Sequence, residues 1–80
     1  MSTLETLASK LAEDTVEAMK LTGDERMFVE IGELIGASSQ TLEEAYLTAI
    51  RVRLAERAAR KLLEAKIAAA KRAASSRPST

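Results

Sequence analysis

Residues 41–74 read TLEEAYLTAIRVRLAERAARKLLEAKIAAAKRAA, a stretch with no glycine and no proline. Between positions 55 and 74, nine of twenty residues are alanine, the best helix former, so this stretch predicts one long helix over about 40–74. Ser38, Ser39 or Thr41 starts it, and Thr41 with Glu44 fits the Thr-x-x-Glu capping box. No strand is expected anywhere in the chain, and this helix decides the fold class: all-α.

Two shorter helices precede it. In the first, about 4–21, Leu4, Leu7, Ala8, Leu11, Thr15, Ala18 and Met19 recur at three and four, which marks one helical face. Ser2 or Thr3 caps its start. Gly23 suits the left-handed position that ends a helix, and Asp24 suits the next N-cap. The second helix, about 25–35, turns Met27, Phe28, Ile31, Leu34 and Ile35 inward. Gly32 within it points to close approach by another backbone. Gly36 ends it, in a turn expected to need a positive φ. The architecture expected is a short two-helix head packed on the start of a long C-terminal helix. Residues 1–74 form a single domain and 75–80 a disordered tail.

The chain of 80 residues has no Cys and no His. A disulfide framework, a thiol nucleophile and a zinc site are thereby excluded, together with most triad chemistry. The carboxylate pairs Asp14/Glu17 and Glu30/Glu33 lack the histidines a di-iron site uses and read as solvated. The three glycines are isolated, so no phosphate-binding loop is present. We expect no enzyme, no cofactor and no small-molecule substrate. The longest apolar runs fall far short of the ~20 residues of a membrane span. The first ten residues show no secretory pattern, and a cytoplasmic location is expected.

Twelve basic and twelve acidic side chains sum to zero, but they are segregated. Residues 1–50 hold ten acids and three bases, net −7; residues 51–80 hold nine bases and two acids, net +7. Such a dipolar chain can pair head to tail with itself. On a helical wheel at about 100° per residue, Leu42, Ala45, Tyr46, Ala49 and Ile50 share one side of the long helix. Beyond Val52 the apolar row moves to Leu54, Ala58, Leu62, Ala65 and Ala69. The first set closes the head; the second is expected to be a self-association face, buried between chains. A homo-oligomer or a partner helix follows, as does the expected function: a non-enzymatic helical interaction or regulatory module acting through its long C-terminal helix.

The alternative function comes from Ile31-Gly32-x-x-Ile35-Gly36-Ala37-Ser38-x-x-Thr41-Leu42-x-x-Ala45, which resembles the helix-turn-helix of bacterial repressors. The resemblance implies that Gly32 lets two helices approach, that Gly36 supplies the turn, and that Ser39, Gln40 and Thr41 open a recognition helix. Glu43 and Glu44 follow at once, where phosphates would repel them. Arg53, Arg57, Arg60, Lys61 and Lys71 form a basic row on the long helix, a candidate site for nucleic acid or another anion. The pairs Glu56–Arg60 and Arg60–Glu64 partly neutralise it.

Overall fold

A computed structural model of the chain describes residues 2–76 and shows three helices among them: α1 Thr3–Thr22, α2 Met27–Gly36 and α3 Gln40–Ser76. The expected architecture is observed, a two-helix head on the start of a long third helix. α3 runs unbroken for 37 residues, about 55 Å at 1.5 Å per residue, along a molecule 67 Å in its longest dimension. It continues through Ser76, two residues past the expected end; residues 77–80 of the expected tail lie outside the described residues.

Caps set the helix boundaries. Ser2 Oγ accepts from the Glu5 N–H at 3.1 Å, so α1 starts on Ser2 with a glutamate three positions on, the Ser-x-x-Glu spacing of a capping box. Gly23 takes the left-handed conformation, φ 74°, and its N–H bonds Met19 O at 2.8 Å, as expected. Thr22 Oγ1 accepts from the Asp24 N–H, and Asp24 Oδ1 accepts from the Arg26 N–H, closing a tight link into α2. The α2–α3 turn corrects one expectation. Gly36 is the last residue of α2 and has no positive φ; Gly23 alone does among the described residues. Ala37 continues in the right-handed region at φ −64°, and the N–H groups of Ser38 and Ser39 both bond Ile35 O. No left-handed residue is needed because the turn is an overwound extension of the helix. Ser39, not Thr41, caps α3: its Oγ accepts from the Leu42 N–H at 3.1 Å.

Both links are short, so neighbouring helices run antiparallel and α1 runs parallel to α3. Leu4 and Glu5 accordingly stand beside Thr41 and Glu44, and Lys20 stands beside Arg57 and Lys61. Ala8, Ala12, Tyr46 and Ile50 are the buried centre, with Leu11, Val16, Phe28, Ile31, Ile35, Leu42, Leu47 and Leu54 packed around it. The division of size is physical. Tyr46 and Ile50 of α3 are large, so α1 meets them with a row of small residues, Ala8, Ala12 and Thr15. Leu7 and Leu34, expected in the core, are left mostly exposed. Gly32 is buried under the side chains of Tyr46 and Leu47 rather than under a backbone; a methyl there would lie 3.4 Å from Leu47 Cδ2, an ordinary contact.

Candidate interaction surface

The head covers α3 only to about Lys61. Beyond it α3 projects as a free arm on which Leu62, Leu63 and Ile67 are 61, 53 and 45 % exposed. Of the expected self-association residues, Ala58, Leu62, Ala65 and Ala69 are all exposed. Leu54 sits where this surface meets the head, in one groove with Ala58. It is half-buried against the head core and lines a groove with Met19 and Phe28. The reason is angular: a step of four residues turns the wheel only about 40°, so Leu54 still overhangs the head beside Ile50. Leu63 and Ile67, expected beside that row as part of the same apolar patch, are exposed as well. Leu7 and Leu21 of α1 and Leu34 of α2 are exposed on the head.

The basic row does not stay together. Arg53 is turned into the head, where Nη2 donates to Ser9 Oγ at 2.8 Å and Nη1 to Ala49 O at 3.3 Å. Arg53 is therefore a structural tie between α1 and α3, not a free anion contact. Arg57 is half-buried beside Glu13, Val16 and Glu17. Arg60 Nε is 2.7 Å from Glu56 Oε1, and this partner holds its guanidinium further above its ordinary pKa. The second pairing expected for Arg60, with Glu64, is not among the ion pairs of the described residues, although Glu64 adds to the same electrostatic pull. Lys61 and Lys71 are exposed.

The helix-turn-helix-like residues form a hairpin between α2 and α3. Gly32 is buried, Gly36 lies beneath the Glu43 carboxylate, and the Ser39 hydroxyl is occupied by its cap. Gln40 and Thr41 are exposed, with Glu44 one turn on. The nearest base of the row, Arg53, is thirteen residues away, about 20 Å along the helix. The hairpin and the basic row thus lie about four turns or more apart along α3.

Among the described residues, no group of three or more Asp or Glu side chains is placed to hold a metal ion. No helix among them is long and apolar enough to cross a membrane. The chain's most distinctive surface is therefore the arm, which carries apolar and basic side chains and is covered by no other part of the described chain. No protein-family model, curated protein or solved structure matches this sequence.

Proposed function

We propose that this chain is a non-catalytic interaction module that self-associates through its long C-terminal helix. The head serves as a clamp that holds one end of α3, and the arm is the working part. One observation carries the reading: Leu62, Leu63 and Ile67 stand exposed within two turns of one another on a helix that has already left its own core. Fully burying an exposed side chain of this size is worth about 1.5–3 kcal/mol, and covering the half that remains exposed on each gains roughly half of that, so an apolar cluster of this kind favours association. The absence of His and Cys supports a role without catalysis.

Sedimentation equilibrium of the intact protein tests this. A mass above one chain is expected as concentration rises, with the triple change Leu62→Glu, Leu63→Glu, Ile67→Glu giving a monomer whose head melts as the native protein does at concentrations where that too is monomeric. A native protein that stays monomeric at every concentration would sink the reading.

A further inference from the structure

Resting on self-association, we infer that the partner surface of the arm is α1 of a second copy, in a closed antiparallel dimer where each arm lies along the other chain's first helix.

The first observation is a repeat in α3. Ala45 and Ala49 face Ala8 and Ser9 of α1, and Arg53 bonds Ser9. Eighteen residues are five full turns, so Leu63, Ile67 and Lys71 stand on the same side of α3 as Ala45, Ala49 and Arg53. The arm therefore repeats the pattern of the α1-binding face, apolar, apolar and basic, with larger apolar groups and nothing of its own chain against them.

The second observation is on α1. Ser9 and Val16 meet α3. Leu7 lies nine residues before Val16 and Ala18 nine after Ser9; nine residues are two and a half turns, which places Leu7 and Ala18 on the opposite side of α1. Leu21 continues that side and is 89 % exposed. Asp14 interrupts the row between Leu7 and Leu21, with Glu17 beside it. The ion pair of Asp14 with Lys10 is solvent-exposed and cheap to exchange.

Charge chooses between receivers. Residues 62–76, the arm beyond the head, carry three bases and one acid, so two arms side by side repel. Residues 1–50, net −7, attract the arm. Length permits it: the fifteen residues 62–76 span about 22 Å and fit within the roughly 30 Å of the 20 residues of α1. Direction follows from topology. α1 is parallel to α3 and ends level with Arg57–Lys61, where the arm departs. An antiparallel copy brings its α1 beside the vacant arm and its arm beside the vacant side of α1, and the pair closes. A parallel copy must slide by an arm length and leaves an open chain.

Two complementary variants test the arrangement. Asp14→Lys with Glu17→Lys reverses the receiving helix; Lys66→Glu with Lys71→Glu reverses the arm. Each alone should sediment as a monomer, and an equimolar mixture should regain the native dimer mass, because both contacts of the mixed pair are again opposite in sign. The doubly substituted Leu7→Cys, Ala74→Cys protein should oxidise to a covalent dimer, since Leu7 of one chain meets the arm tip of the other. A native dimer in which the α1 variant alone still dimerises would overturn the arm-on-α1 contact while leaving self-association standing. A native monomer would remove both, as would monomeric binding to vesicles of anionic phospholipid with no dimer at any concentration.

Discussion

The Tyr46 hydroxyl meets Thr15 Oγ1 at 3.3 Å inside the head, and the same hydroxyl lies 3.3 Å from Phe28 O. Thr15 donates its own proton to Leu11 O at 2.7 Å, so its oxygen is free to accept from Tyr46. One phenol thus touches all three helices, from α3 to α1 and α2. No buried side-chain polar atom among the described residues lacks a partner.

Tyr46→Phe should therefore lower stability by about 1 kcal/mol, the net worth of one buried hydrogen bond. Tyr46→Ala should cost about 3–5 kcal/mol, by analogy with other buried aromatics, and leave the head unfolded on warming. Burial pushes the Tyr46 phenol above its ordinary value of 10.0, and the bond to Thr15 opposes this only in part. The folded state then holds this proton more tightly than the unfolded chain. Its stabilising contribution is complete below pH 10 and is lost as pH climbs through the raised folded value. Alkaline thermal melts should show that loss in the native protein and a smaller one in Tyr46→Phe.

The glycines should separate cleanly. Gly23→Ala puts a side chain at φ 74° with nothing within 4 Å, so its cost is purely conformational, about 1–2 kcal/mol. Gly36→Ala should be neutral or stabilising by up to about 1 kcal/mol. Its backbone is helical, and the only obstacle is the mobile end of Glu43, 2.7 Å from the added carbon. Gly32→Ala should behave likewise. A melting temperature lowered as much by Gly36→Ala as by Gly23→Ala would refute this.

Leu54→Glu and Leu62→Glu should differ in kind. Leu54 packs on the core, so a carboxylate there should destabilise the head by about 1–3 kcal/mol. Leu62 is beyond the head, and Leu62→Glu should leave its stability within about 0.5 kcal/mol at concentrations where the protein is monomeric. Denaturant melts at low concentration decide it.

Duplex DNA at low salt should bind feebly or not at all, because the exposed start of α3 carries Gln40, Thr41 and Glu44 inside an acidic head. Salt-sensitive binding that survives Lys61→Glu with Lys71→Glu would return the α2–α3 hairpin to consideration.

Much of this was legible in the residues. Long runs without Gly or Pro, and Gly23 followed by Asp24, placed all three helices to within about two residues. The choice among overlapping stripes was harder. On α1 the expected face joins Ala8 and Thr15 to Leu4, Leu7 and Leu11, but it leaves out Ala12, which is buried, and counts Leu7, which is mostly exposed. The small row wins because Tyr46 needs space, a demand set by a residue 31 positions away. Gly36 read as a left-handed stop because glycine permits that conformation, yet permission is not requirement. Arg53 read as part of a free cationic row because nothing local to it announces Ser9, 44 residues earlier. On the candidate surface, Leu62 and its alanines were visible as a stripe. The eighteen-residue echo of Ala45 and Ala49 in Leu63 and Ile67 emerges only once α1 is seen lying on the first pair.

The continuity of α3 has a dynamic consequence. Starting a helix is the unfavourable step, and extending one adds a hydrogen bond for each residue ordered. The head performs the nucleation, with Tyr46 and Ile50 locked in place, so the arm grows from a ready template and frays only from its far end. Amide exchange should therefore slow progressively from Ser76 back toward Ile50, a gradient instead of two separate populations. Anything that grips the arm tip would flatten that gradient and add protection at every turn between the grip and the core.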